Sequence, residues 1–420
     1  MGRWASFAVC VALLAGWAGG RVAADSSASA PMTLQLALRA GAQKGPGIEA
    51  SAAPMSGLVS ARQAARAWLV APPIVTVGAG PRLNGGASLD VQATALAQLP
   101  LRDLRGARGQ VANTSIDLVH ADTRRARFDG ALRAAIAWSY GVEAKEVMRL
   151  RHEALEQSEA IAATAKKRAQ AGVSMPSELA VTLGDVGVAR AGVLDAEGVL
   201  VEALAELRLA TGESIAAPVD PVGELYEQDN DTLNRAAKWA SEADTKNPGL
   251  RVAQKRQSVA QQETALVSAT LGPSLGVGAS YTREGTGNSI VLGVVSVPIP
   301  LVDHAAFERS RAQAQADVSA AEVRQVRTEL KTQLAVAMHD IQHFRELCET
   351  LKTDALPPLR EALRLATAQF SAGTQEIGLV LVARQRLIAT EELFAHAAGE
   401  VVRADLRMAY VAGTLLPEGT

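Results

Sequence analysis

Two histidines stand four residues apart in the run His339-Asp340-Ile341-Gln342-His343. On an α-helix this spacing puts both imidazoles on one face, where they could bind a transition metal. No third ligand is visible nearby in the sequence, and the HExxH pattern is absent. The alternative is a solvated helix face, and we predict no metal site.

No other arrangement of side chains indicates catalysis. The sequence has no Gly-x-Ser-x-Gly elbow, and no pair of acids stands out. The glycine-rich run Gly276-Val277-Gly278 lacks a following Lys-Ser/Thr, so it is not a phosphate-binding loop. We therefore predict a protein that is not an enzyme and that holds no cofactor.

Two carboxylates, Glu178 and Glu376, each follow a glycine break between long helical segments. An acidic side chain at the start of a helix suits the positive end of the helix dipole, and this is the favoured interpretation of both residues.

The composition is that of long packed helices. The 420 residues carry a formal net charge of −2, which gives no sign of a nucleic-acid-binding surface. Aromatic residues make up only 4% of the chain, which is low for a globular core. At this length the chain could form two or three domains.

Residues 1–24 have the pattern of an export signal. Arg3 supplies a positive charge, Ala5 to Trp17 form an apolar core, and Val22-Ala23-Ala24 offers a cleavage site. The alternative is an anchored N-terminal helix, although the apolar core is shorter than the ~20 residues that span a bilayer.

The sequence contains two cysteines. Cys10 lies in the apolar core of the predicted signal without a convincing lipoprotein cleavage box, so we do not predict lipidation. Cys348 would remain alone after cleavage and could form no internal disulfide. Its helical context predicts a buried packing residue.

The rest of the chain is predicted to be an internal duplication. Residues 25–212 form the first repeat, residues 213–230 a linker and residues 231–420 the second repeat. Each repeat is predicted to contain helix, hairpin, long helix, turn and returning helix. Five landmarks recur in one order at separations of 200 to 202 residues: Lys44 and Lys246, Pro100 and Pro300, Asp103 and Asp303, Gly172 and Gly373, Gly212 and Gly413.

The two hairpins are predicted at about residues 73–99 and 273–299, where apolar and polar residues alternate. Strands of about 9–11 residues are long enough to cross an outer membrane when tilted. Four strands cannot close a barrel, and an open sheet edge is not tolerated in lipid. Closure would therefore need several copies of the chain.

A proline corner ends each hairpin. Proline cannot donate a hydrogen bond to a strand ladder, and an aspartate can cap the first turn of a helix. The predicted corner residues between strands and long helices are Pro100, Asp103, Pro298, Pro300 and Asp303.

Long helices are predicted on both sides of each glycine break. Their expected bounds are 103–171, 177–211, 304–372 and 375–412. The first could be ~100 Å long, which is typical of a coiled coil. Pro357-Pro358 is expected to kink the third of these helices. A shorter helix is expected from Ile48 to about Val70, before the first hairpin.

The order of these elements resembles the TolC-like outer-membrane efflux protein family. The signatures are the run Pro298 to Asp303 after a strand, Pro357-Pro358, the breaks at Gly172 and Gly373, and the duplication. The resemblance implies a homotrimer in which three chains build one 12-stranded outer-membrane β-barrel above a periplasmic α-helical tunnel. It also implies an exit duct that exports substrate passively, with a periplasmic adaptor and an inner-membrane pump as partners.

By the same resemblance, the glycine breaks are tips where the adaptor docks. The matching residues are Arg168, Gly172, Ser174, Gly373 and Thr374. In the second repeat, Gln369 and Phe370 stand where the family carries a basic residue. Some relatives have acidic residues after the second tip that ring the closed aperture, where this chain has Leu379 and Val382. The resemblance makes Glu178 and Glu376 the aperture candidates, since carboxylates repeated around a symmetry axis would attract cations and repel anions at a constriction.

Two other functions remain as alternatives. A periplasmic adaptor also uses long helical hairpins, but it usually flanks a single hairpin with small β domains. A structural coiled-coil protein would need no pore. Two repeats that carry strands of membrane length favour the channel.

Overall fold

The computed structural model describes residues 30–67, 72–81, 88–173, 175–225, 232–297 and 305–417. The predicted signal at residues 1–24 lies outside these ranges, as do Ser174, Pro298, Pro300 and Asp303. Among the helices described, none is long and apolar enough to cross a membrane.

The protein is mainly helical, as the sequence predicts. The described α-helices are α1 (Leu34–Lys44), α2 (Ile48–Ala52), α3 (Met55–Ala64), α4 (Leu104–Gln170), α5 (Pro176–Thr211), α6 (Thr232–Lys246), α7 (Pro248–Thr270), α8 (Ala305–Thr350), α9 (Leu356–Ala372) and α10 (Ile377–Ala412). The described strands are β1 (Ala30–Met32), β2 (Ile74–Pro81), β3 (Leu89–Pro100), β4 (Val219–Pro221), β5 (Ser274–Arg283) and β6 (Ser289–Ser296).

The longest helix, α4, has 67 residues and no proline. It begins after Asp103, whose carboxylate accepts a hydrogen bond from the Gly106 N–H at 2.8 Å and so caps the first turn. It ends at Gly172, which has a φ of +72°. A helix of this length spans ~100 Å, so its two ends lie in separate parts of the molecule.

The helix expected from Ile48 to Val70 is broken in two, and this expectation is wrong. Helix α2 ends at Ala52 and α3 begins at Met55, with Pro54 between them. Proline lacks an N–H and clashes with the preceding turn, so it is tolerated at a helix start rather than inside a helix.

Helices α8 and α9 are joined by a π-helical turn at Leu351–Ala355. Pro357 and Pro358 follow in the first turn of α9, the part of a helix where proline is best tolerated. A π turn inserts an extra residue into the helical ladder. The chain therefore stays helical through the site where a kink is expected.

The hairpins β2–β3 and β5–β6 form one antiparallel sheet in the order β2-β3-β5-β6. Strand β3 pairs with β5 over ten residues, from Val91 opposite Arg283 to Pro100 opposite Ser274. One contact between the two halves of the chain is therefore a continuous strand ladder.

A second, smaller sheet pairs β1 with β4 in parallel. Strand β4 lies inside the stretch 213–230, which the sequence analysis treats as an irregular linker. The Trp138 indole N–H donates to the Met32 carbonyl oxygen at 2.8 Å, so α4 holds the β1 end of this pair.

Within each half of the chain, two of the recurring landmarks lie side by side. Gly212, after α5, has a φ of +68°, and an added Cβ would lie 2.8 Å from the Lys44 Cβ. Gly413, after α10, has a φ of +75°, and an added Cβ would lie 2.2 Å from the Lys246 carbonyl oxygen. Each returning helix thus ends against the short helix that opens its own half.

Small residues let the helices approach closely. Where α1 crosses α4, a Cβ on Gly130 would lie only 2.3 Å from the Gly41 carbonyl oxygen. The neighbouring Ala131, Ala134 and Ala135 are fully buried. Packing through glycine and alanine explains how a chain with few aromatic residues buries its helices.

We predict that Gly130→Ala destabilises the protein by about 2 kcal/mol or more, because the new methyl group overlaps backbone atoms of α1. Gly109→Ala on the same helix is the matched control, since its Cβ would meet nothing within 4 Å. That change is expected to stabilise α4 by up to ~1 kcal/mol. Thermal unfolding of both variants, followed by circular dichroism, measures the difference. Equal midpoints would contradict the close approach of α1 and α4.

The prediction that Cys348 is a buried packing residue is confirmed. Its side chain is fully buried and packs with Leu351, Ala397 and Val401. Burial raises the pKa of the thiol to about 11. The reactive thiolate is therefore scarce at neutral pH.

We predict that Cys348 in the folded protein reacts with maleimide more slowly than a free thiol across pH 7 to 9. Because its pKa is raised, the labelling rate should still be climbing above pH 9, where an ordinary thiol levels off. Mass spectrometry of protein labelled with and without denaturant makes the comparison. Fast labelling of the folded protein at pH 7 would show that this helix packing is wrong.

Candidate functional site

The four-stranded sheet has one apolar face. The pairing register places on this face Val75, Val77, Val91, Val277, Tyr281, Val291 and Val295. Among them Val77, Val291 and Val295 are 69%, 73% and 69% exposed. Exposed valines in a continuous patch indicate a surface that meets an apolar environment.

The opposite face carries polar side chains on β3 and β5, whereas β6 places Ile290, Leu292 and Val294 on it. The Ser280 hydroxyl accepts hydrogen bonds from the Gln92 amide at 3.1 Å and from the Thr94 hydroxyl at 3.0 Å. Thr76 lies beside Thr94 in the register. The central strands β3 and β5 can therefore separate an apolar medium on one side from an aqueous one on the other.

Both outer strands of this sheet have an open edge within the described chain. Strand β2 pairs only with β3, and β6 pairs only with β5. An open edge leaves backbone N–H and C=O groups without partners, which costs several kcal/mol per group in an apolar medium. The edges are therefore incomplete in a single chain.

Helix α5 also has an uncovered apolar surface. It packs mainly on α4. Its apolar residues that are half or more exposed are Val181, Leu183, Val188, Leu194, Val199, Val201 and Leu209. On α8, Phe307, Val318 and Val336 are similarly exposed. The chain thus carries uncovered apolar side chains on helices of both halves.

The breaks at Gly172 and Gly373 are built alike. At the first, the Gly172 N–H donates to the Ala169 carbonyl at 3.0 Å and the Val173 N–H to the Arg168 carbonyl at 3.1 Å. This pair of bonds, with a glycine at positive φ, is the Schellman motif that ends many helices.

The second break repeats the same bonds. The Gly373 N–H donates to the Phe370 carbonyl and the Thr374 N–H to the Gln369 carbonyl, both at 3.0 Å. Gly373 has a φ of +77°. Both glycines face open space, because a Cβ on either would meet nothing within 4 Å.

The two tips lie side by side. The Arg168 guanidinium donates to the Phe370 carbonyl oxygen and lies 4.6 Å from the centroid of the Phe370 ring. The structure therefore brings together Arg168, Gly172 and Gly373, three of the predicted docking residues. Arg168 contacts the other tip within its own chain, which the sequence analysis does not anticipate.

The two aperture candidates stand at helix starts. Glu178 lies in the first turn of α5. Glu376 precedes α10 with an extended backbone, and its side chain makes no capping hydrogen bond. Both positions suit the helix-dipole interpretation, and the role of either residue in an aperture stays a prediction.

A buried ion pair, which no pattern in the sequence indicates, joins α10 to α5. Arg384 of α10 is 6% exposed and pairs with Asp185 of α5. It also donates to the Ser158 hydroxyl and, at 3.0 Å, to the Ala154 carbonyl, both on α4. Burial lowers the pKa of Arg384, and the Asp185 carboxylate opposes that shift. One guanidinium therefore ties both helical hairpins together.

A second arginine, Arg403 of α10, is fully buried farther along the helix. It donates to Glu143 of α4 at 2.7 Å and to Glu400 at 3.0 Å. Its guanidinium lies 4.2 Å from the centroid of the Tyr140 ring. Glu400 is only three residues from Arg403, but no spacing in the sequence reveals Glu143, which is 260 residues away along the chain.

His339 and His343 lie on one exposed face of α8, with ring centroids 5.9 Å apart and nearly parallel planes. Within the described residues, no group of three or more His, Cys, Asp or Glu side chains could hold a metal ion.

Residues 239–414 match the family model described as outer membrane efflux protein. This stretch of the chain belongs to that family. The match covers α7, both strands of the second hairpin and α8 to α10. A comparison with curated proteins gives no sequence match.

Solved structures of outer-membrane proteins share the fold of this chain over nearly its whole length. The CmeC outer membrane channel of Campylobacter jejuni is 12% identical, with a TM-score of 0.74, covering 92% of this chain and 87% of its own. The outer-membrane channel OprN is 15% identical, with a TM-score of 0.73 and coverages of 90% and 89%. VceC of Vibrio cholerae is 14% identical, with a TM-score of 0.71 and coverages of 90% and 96%.

Proposed function

We infer that this protein is an outer-membrane efflux channel, an exit duct through which substrate leaves the cell passively. The observation that carries the inference is the sheet with an exposed apolar face and an opposite face that carries polar side chains on β3 and β5, joined directly to helices of up to ~100 Å. The family of residues 239–414 and the shared fold with outer-membrane channels support it. The sheet lies in the outer membrane, and the helices extend into the periplasm.

The working channel in this proposal is a homotrimer. A β6 edge of one copy pairs with the β2 edge of the next, so three four-stranded sheets close into one 12-stranded barrel. Such head-to-tail contacts form a ring when the rotation closes. The exposed apolar residues of α5 then pack on the neighbouring copy in the wall of the helical tunnel.

The proposed partners follow from the positions of the sheet and of the tips, which lie near the two ends of α4. Lipid surrounds the apolar face of the sheet. A periplasmic adaptor docks on the tips at Gly172 and Gly373, and an inner-membrane pump delivers the substrate and supplies the energy. The formal net charge of −2 gives no sign of a nucleic-acid-binding surface.

The test is conductance of the purified protein in planar bilayers. The account expects extraction only with detergent, migration as a trimer in native mass spectrometry, and discrete conductance steps. Protein that stays monodisperse without detergent and gives no conductance would overturn the channel. A helical adaptor or a coiled-coil protein without a pore would give that second result.

We propose further that opening separates the two helical hairpins near the tips. Arg384 links α10 to α4 and to Asp185 of α5, so it restrains that separation. The link is mostly buried, which makes each partner costly to remove singly.

We predict that Arg384→Ala raises the conductance of the resting channel several-fold, because Asp185 then lies partly buried without its cation. The loss is of the order of 3 kcal/mol for such a pair. Arg190→Ala is the matched control, since Arg190 pairs with Glu159 across α4 and α5 at an exposed site. Exposed pairs contribute about 0–1 kcal/mol, so the control should conduct like the parent.

Single-channel recordings of the parent and both variants decide this prediction. Circular dichroism must first show that each variant is folded. If Arg384→Ala folds and conducts no more than Arg190→Ala, the pair does not restrain opening.

A further inference from the structure

Arg168 and Gln369 occupy equivalent places at the two tips, four residues before Gly172 and Gly373. The backbone carbonyl of each accepts the N–H that closes its own turn. Their side chains differ in chemistry, because only the first tip carries a guanidinium at this place. The duplicated tips are therefore alike in backbone and unlike in their side chains.

The Arg168 side chain leaves its own turn and contacts the other one. It donates to the carbonyl oxygen of Phe370, the same atom that accepts the Gly373 N–H at 3.0 Å. Its guanidinium also lies over the Phe370 ring, 4.6 Å from the centroid. One side chain thus holds both the backbone and the ring that form the second tip.

The Phe370 ring is itself fixed. It is 1% exposed and packs in a cluster with Ile161 and Ala165 of α4 and with Ile377 and Val380 of α10. A buried ring that faces a cation offers a stronger cation–π contact than an exposed one. The contact therefore has a rigid acceptor.

The basic residues before the first tip divide into two kinds. Lys166 and Lys167 are exposed, whereas Arg168 is only partly exposed. The lysines are accessible to a partner, and the guanidinium of Arg168 is engaged within the chain. Lysine could not replace Arg168 fully, because its ammonium group cannot stack as a flat guanidinium does.

We propose that Arg168 is a positioning residue that holds the second tip in place from the first, so that both tips form one docking face. That the face receives the adaptor rests on the proposed function. That Arg168 orders the second tip does not, and it can be tested without any partner. The proposal has a direction: removing Arg168 should loosen the turn at Gly373 and leave its own turn at Gly172 intact.

The experiment is hydrogen–deuterium exchange of the full chain in detergent, read by mass spectrometry on peptides that resolve each tip. In Arg168→Ala, the Gly373 and Thr374 amides should exchange ~10-fold faster, since local opening sets their protection. The Gly172 and Val173 amides should change less than about twofold, because their own hydrogen bonds remain. Lys167→Ala is the control and should leave both tips as in the parent.

Two more variants separate stacking from charge. Arg168→Lys keeps the charge and should recover less than half of the lost protection at Gly373. Phe370→Leu keeps the backbone carbonyl and should give a partial loss at the same amides. If Arg168→Ala fails to fold, these two variants carry the test.

Equal changes at both tips, or none at Gly373, would overturn the proposal. Full recovery in Arg168→Lys would overturn the stacking role. If the parent protein conducts and Arg168→Ala leaves amide exchange at the second tip unchanged, this inference is refuted and the proposed function stands. A parent protein that gives no conductance would refute the proposed function and leave the inference on Arg168 standing.

Discussion

The structure depends on the unpaired backbone of two sheet edges. Strands β2 and β6 each present a row of N–H and C=O groups without partners in the described chain. In water such an edge invites aggregation, and in lipid it is not tolerated. Pairing with another copy satisfies both edges at once. The apolar face, formed by residues such as Val77 and Val295, is then the outer surface of a closed sheet.

The helices continue the same arrangement below the sheet. The Asp103 cap starts α4 directly after β3, so the strand and the helix share one wall. Close contacts such as that between Gly41 and Gly130 let thin helices pack without large aromatic residues. The buried arginines Arg384 and Arg403 add polar links between the two halves at fixed heights along α10. Burial makes such links specific in geometry even where they add little net stability.

Much of the element order could be predicted from local patterns. A run without proline predicts a helix over residues 103–171, and α4 occupies Leu104–Gln170. Alternation predicts a hairpin at about residues 273–299, where β5 and β6 lie. Pro54 is the local signal that the sequence analysis overlooks in the helix expected from Ile48. The short strand β4 has no such signal, because it exists only through its pairing with β1.

The candidate site was less accessible to sequence reasoning. The tip glycines follow from helix-ending chemistry, since each needs a positive φ. The contact of Arg168 with Phe370 joins residues 202 apart, and that of Arg384 with Asp185 joins residues 199 apart. Periodicity reports which face of a helix is buried and not which distant side chain meets it. These links become visible only once the two halves are packed together.

The central claim is that β6 of one copy pairs with β2 of the next. The most direct measurement is disulfide cross-linking of Val77→Cys with Val291→Cys or Val295→Cys, in protein whose Cys10 and Cys348 are replaced by alanine. Within one chain β2 and β6 are three strand spacings apart, about 14 Å, which exceeds the reach of a disulfide. The account predicts that at least one pair gives covalent trimers on non-reducing gels while each single cysteine gives monomers. Monomers alone from both pairs would contradict it.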